Sequence, residues 1–195
     1  MKLTSTRRLT ECAIMLALAN VLSFVKIPRF FGGGVTLFSM LPLVIIACRY
    51  GTPTGLLTAF AHSCLQLIFG LGNVQYANST LMALGIIGFD YIVAYSVIGL
   101  SGFFCTEKGK PRTRHLIVGI VLTFLMRLFC HIGTGIWIWD VLFPNSIEYL
   151  TGCPQIIVAT VYSVIYNAEY MLPEILITSV AAAILNKTTR LFEKI

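Results

Sequence analysis

Charge is what this sequence has least of. Asp, Glu, Lys and Arg make up 11% of its 195 residues, where a soluble domain carries about 25%. No G-x-x-x-x-G-K-S/T occurs, which excludes ATP binding on a P-loop of its own. No C-x-x-C pair occurs among the six cysteines (Cys12, Cys48, Cys64, Cys105, Cys130, Cys153), and five of them fall in or beside apolar runs. They read as small core residues rather than as a disulfide or zinc framework. There is no paired-histidine metal spacing and no activated Ser or Cys beside a base. An intramembrane enzyme is therefore not expected, nor a resident metal or cofactor. Long internal repeats and low-complexity tracts are missing too.

What is present is apolar. Hydrophobic residues reach 57% and mean hydropathy is +0.85, the composition of an integral membrane protein whose partner is the lipid bilayer. A spanning helix needs about 20 apolar residues. Six candidates follow one another: about 9–25, 37–49 (short and interrupted by Pro42), 56–71, 81–104, 116–139 and 156–185. Between the first two, K-I-P-R-F-F-G-G-G-V-T (Lys26 to Thr36) reads as a mobile loop, because three consecutive glycines disfavour a helix. Gly51-Thr52-Pro53-Thr54-Gly55 reads as a turn before the third. The expected fold is all-α: one compact six-helix bundle over residues 1–195, with no separate soluble domain.

Charge sets the orientation. The net charge of +6 is not gathered on one segment, so nucleic acid is not the expected partner. Six spans place on the side of the termini Lys2, Arg7, Arg8, Arg49, Lys108, Lys110, Arg112, Arg114, Lys187, Arg190 and Lys194, against Lys26 and Arg29 on the other. The positive-inside bias puts both termini in the cytoplasm and the Gly-rich loop outside.

Against this background the polar residues inside apolar runs stand out, because each costs several kcal/mol in hydrocarbon unless satisfied. They are functional candidates by default. At 1.5 Å per residue, Asp90 lies about 15 Å, His131 about 12 Å and Asn167 about 16 Å from the outer ends of their helices. Three side chains from three helices share one depth, as in a pocket entered from outside. Structural readings stand beside this one. Asp90 could pair with Arg127, His131 could be a satisfied core histidine, and Trp137 and Trp139 could belong to an interfacial belt. Tyr162 and Tyr166 could anchor their helix, and Glu174 could stabilise the kink at Pro173. On the first helix Ala13 and Ala17 make a smooth face that a second helix can approach closely.

The segments R-L-F-C-H-I-G-T-G-I-W-I-W (Arg127 to Trp139), Y-S-V-I-Y-N-A-E-Y-M-L-P (Tyr162 to Pro173) and D-Y-I-V-A-Y-S-V-I-G-L-S-G (Asp90 to Gly102) resemble the thiamine-specific substrate-binding (S) component of energy-coupling-factor (ECF) transporters. The resemblance covers nearly the whole chain. It implies a six-helix binding protein of the cell membrane that does no chemistry. A transmembrane coupling protein and a pair of cytoplasmic ATPases would drive uptake, with the coupling protein docking at Ala13 and Ala17. It implies a substrate site made by Asp90, Tyr91, His131, Trp139, Tyr162 and Asn167. The family often has glutamate where Asp90 stands, and a tryptophan lid in the first outer loop, for which Phe30 or Phe31 would substitute. The chemistry suits thiamine: aromatic faces hold a cationic thiazolium at roughly 0.5–2 kcal/mol each, and a buried carboxylate accepts from the exocyclic amine. Two alternatives stay open: a related component for another vitamin or a thiamine precursor, and a stand-alone secondary transporter moving protons on Asp90, Glu169 or Glu174.

Overall fold

A computed structural model describes residues 5–28, 33–106, 109–144, 147 and 150–194. Six long helices follow in chain order: α1 (Ser5–Phe24), α2 (Leu41–Tyr50), α3 (Thr52–Phe69), α4 (Thr80–Phe104), α5 (Thr113–Leu142) and α6 (Gln155–Thr188). The last three are long and apolar enough to cross a membrane. α1 and α3 are shorter and more polar, carrying Arg7, Arg8 and Glu11 or His62 and Gln66. α2 has ten residues, eight of them buried without a break from Leu41 to Cys48. A helix of about 15 Å cannot cross hydrocarbon alone, and its neighbours wrap it.

The prolines read as interruptions are helix starts. Pro42 and Pro53 lie in the first turns of α2 and α3, where the missing N–H has no intrahelical partner to lose. The turn expected over Gly51 to Gly55 shrinks to Gly51, whose φ of 85° is open to glycine. Gly55 instead lies inside α3 and serves packing. A Cβ on Gly55 would meet Ala47 Cβ at 2.5 Å, and one on Gly99 would meet the Gly55 and Leu56 backbone at 2.5 Å. α2, α3 and the second half of α4 thus touch nearly backbone to backbone, as small residues permit.

That contact corrects the reading of the cysteines. It brings the ends of α2 and α4 together, and Cys48 and Cys105 form a disulfide with a Cα–Cα distance of 5.1 Å. This is within the usual bridging range, and spacing along the chain could not reveal it. Cys12, Cys64, Cys130 and Cys153 are free.

A solid core fills one end of the bundle, built by Leu43 and Val44 of α2, Ile98 of α4, Leu116, Ile120 and Phe124 of α5, Ala182 of α6, and Phe192. Both described ends of the chain meet there. Glu11 of α1 accepts from Arg49 Nε (2.8 Å) and Tyr50 Oη (2.6 Å), and Arg49 also donates to the Arg190 carbonyl (3.1 Å).

The other end is open and carries a hairpin. β1 (Lys26–Pro28) and β2 (Gly34–Thr36) pair antiparallel, Lys26 with Thr36 and Ile27 with Val35. The loop expected over Lys26 to Thr36 is therefore ordered at both legs. Pairing satisfies backbone groups that a loop would leave to water, and Val35 is buried. Phe30 and Phe31, expected near the ligand, lie outside the described residues, as do Lys2, Arg29 and Lys108.

Candidate functional site

Two helices change winding where they reach the open end. Ile86–Val93 of α4 and Gly135–Trp139 of α5 are π-helical. Such bulges re-aim side chains and gather at functional sites. Asp90 and Tyr91 come from the first, Trp139 from the second. Residues 97–104 tighten into a 3-10 turn, which lets Gly99 and Gly102 dock.

Between α4, α5, α6, the C-terminal end of α3 and the hairpin lies a cavity of about 910 Å³. All six residues expected at the site (Asp90, Tyr91, His131, Trp139, Tyr162, Asn167) line it. Such a volume is ample for a vitamin-sized ligand.

Asp90 is its centre. Its carboxyl group is buried and takes three donors, all from α5. His131 Nδ1 lies 3.1 Å from Oδ1, the Thr134 hydroxyl also donates to Oδ1, and Trp139 Nε1 donates to Oδ2 at 2.8 Å. A carboxylate has about four acceptor positions, so one remains for a ligand. The bond to an acceptor also sets the imidazole: Nδ1 carries the proton, and Nε2 is buried with no protein partner among the described residues.

Asn167 and Tyr91 are held more tightly than the sequence implied. Asn167 donates to the Ser163 carbonyl (2.9 Å) and the His131 carbonyl (3.4 Å), and it accepts from Tyr170 Oη at 2.8 Å. Its amide thus locks α6 to α5 while its face lines the cavity. Tyr91 Oη donates to the Gly70 carbonyl (3.1 Å) and accepts from Asn73 (2.8 Å), stapling the segment after α3 to α4.

The alternative pairings resolve clearly. Arg127 pairs with Glu174 (3.2 Å), not with Asp90, and both partners are buried. The guanidinium also lies over the Tyr95 ring, 4.6 Å from its centroid. Glu174 does more than attend the Pro173 position: its Oε1 accepts from Thr36 N (2.7 Å) and from the Thr36 hydroxyl, which ties β2 to α6. Trp137 is 73% exposed and points away, so Trp139 alone of the two tryptophans belongs to the cavity.

Sequence reasoning missed several lining residues, among them Tyr95, Gln66 and Asn73, and read Tyr166 only as a possible helix anchor. Tyr162 stacks on Tyr166 (6.1 Å), which meets Tyr170 edge-on (6.0 Å). The four-residue spacing of these tyrosines was the available signal, because it puts them on one helix face. Gln66 had none; it joins Asn20 (3.2 Å) and Ser23 (2.9 Å) only through tertiary contact.

Residues 9–193 match the family model described as thiamine transporter protein. The chain belongs to the thiamine transporter family. It is 30% identical to the thiamine transporter ThiT of Bacillus subtilis (strain 168) over 194 residues, covering 93% of this chain and 91% of that one. Its fold matches a solved structure of ThiT from Listeria monocytogenes with a TM-score of 0.70 and 22% identity, over 97% of this chain and 98% of that one. The match takes in every helix that lines the cavity. Membership of that family, with the three apolar helices, makes this a membrane protein.

Proposed function

We propose that this chain is the membrane-embedded thiamine-binding subunit of an energy-coupling-factor importer in the plasma membrane. It takes thiamine at the outer face and delivers it inward with a separate coupling protein and an ATPase pair. The observation that carries the reading is the Asp90 carboxylate. It is buried, fixed by three donors that leave one acceptor position, and lines a cavity walled by Trp139, Tyr162, Tyr166 and Tyr170. A fixed carboxylate suits the amine of the aminopyrimidine, and aromatic faces suit the thiazolium cation. His131 Nε2 is a second polar contact for the flat ring, with Asn167 beside it.

Six spans with both termini in the cytoplasm follow from the positive-inside bias. The end of the bundle bearing Arg7, Arg49 and Arg190 is then the inner one, and the hairpin end the outer. Ala13 and Ala17 are exposed on α1 beside exposed Ile14, Leu18 and Val21, a smooth apolar strip on which a coupling protein would dock.

Uptake of labelled thiamine separates this from a stand-alone transporter. Cells expressing the chain with a coupling protein and ATPases should accumulate thiamine, and vesicles holding the chain alone should only bind it. Accumulation by the chain alone, driven by a pH gradient, would establish proton-coupled transport instead.

A further inference from the structure

Glu174 stands outside the six proposed ligand contacts, yet it lines the same cavity and is 3% exposed. Its two oxygens divide their work. One pairs with Arg127 Nη1 at 3.2 Å, and the other holds the Thr36 backbone N–H at 2.7 Å and the Thr36 hydroxyl. Asp90 is engaged elsewhere, by His131, Thr134 and Trp139.

Arg127 poses a problem for a cationic ligand. Its guanidinium cannot shed its proton, is 5% exposed, and lines the cavity. With Glu174, the described lining holds two carboxylates (Asp90, Glu174) against two cations (Lys26, Arg127). Without it, one carboxylate faces two cations. Like charges within about 10 Å in a protein interior of effective dielectric near 20 change an equilibrium on the order of tenfold.

We propose that Glu174 is a specificity-determining residue: by neutralising Arg127 it makes the cavity accept a ligand with a permanent positive charge. A merely structural Glu174 would hold Thr36 and Arg127 in place and affect charged and neutral ligands alike. The inference rests on the thiamine reading.

The test titrates the purified full chain in detergent with two probes: thiamine, and an analogue whose thiazolium is replaced by a neutral thiophene. Glu174→Gln should weaken thiamine on the order of tenfold more than the analogue. Arg127→Gln/Glu174→Gln, with both charges gone, should return the thiamine-to-analogue ratio to that of the unmodified chain. Equal loss for both probes in Glu174→Gln, or no recovery in the double variant, overturns the inference. If Glu174→Gln alone does not fold, the same charge is read between Arg127→Gln and the double variant. Loss of the acid should lower the ratio there, and an unchanged ratio overturns the inference. An unmodified chain that binds neither probe removes the thiamine reading, and this inference with it.

Discussion

Replacing Asp90 by asparagine keeps the size of the side chain and removes its charge. The carboxylate accepts two donors on Oδ1 and one on Oδ2. An amide has one carbonyl, so its best orientation keeps His131 and Thr134 and turns an NH2 toward Trp139 Nε1, donor against donor. The acceptor position left for the ligand is on Oδ2, the same atom that becomes the NH2, so the charge-assisted bond to the ligand's amine is lost, at about 1.5–3 kcal/mol. Thiamine affinity should fall roughly tenfold to 150-fold, with a further loss if the freed Trp139 ring leaves its position. Isothermal titration of the detergent-purified variant measures this, with a thermal melt to show that the fold survives. A dissociation constant within about twofold of the unmodified chain would refute the placement of Asp90 at the amine. His131→Ala should cost at least about tenfold, since it removes both a donor to Asp90 and the free Nε2.

Other perturbations reach separate parts of the account. Trp139→Phe keeps an aromatic face and deletes the donor to Asp90, so binding should weaken several-fold and most ligand-induced quenching should vanish. Trp137→Phe should leave both affinity and quenching unchanged, because that ring faces away from the cavity; titration with emission recording checks the pair. Gly99→Ala would place a Cβ 2.5 Å from the Gly55 and Leu56 backbone. It should destabilise the bundle by about 1–3 kcal/mol, read as a lowered unfolding midpoint in detergent. Ala13→Trp with Ala17→Trp should abolish uptake in cells supplying the coupling module and leave thiamine binding intact; loss of binding as well would make the strip internal packing.

The sequence carried the helices because apolar runs are local signals. It also carried the convergence at the site, since depth along a helix is a count of residues. Asp90, His131 and Asn167, placed at a similar depth by that count, lie within one hydrogen-bonded group. What escaped depends on contacts between distant segments. Pro42 and Pro53 look alike as breaks or as starts until the helix around them is seen. The Cys48–Cys105 bridge needed Gly99 and Gly102 to bring two helix ends together. Arg127 had two acids within reach, Asp90 and Glu174. It pairs with Glu174, while Thr134 and Trp139, one turn and two turns past His131, donate to Asp90. The π windings that aim Asp90 and Trp139 leave no mark in hydrophobic periodicity.

The most direct test of the central claim is fluorescence titration of the purified chain with thiamine, with hydroxymethylpyrimidine and riboflavin as comparisons. Trp139 lies against Asp90 inside the cavity, so saturable quenching by thiamine, absent in Trp139→Phe, is the predicted result. Saturation by riboflavin with no response to thiamine would contradict the assignment of the ligand, and silence to all three would contradict the cavity as its site.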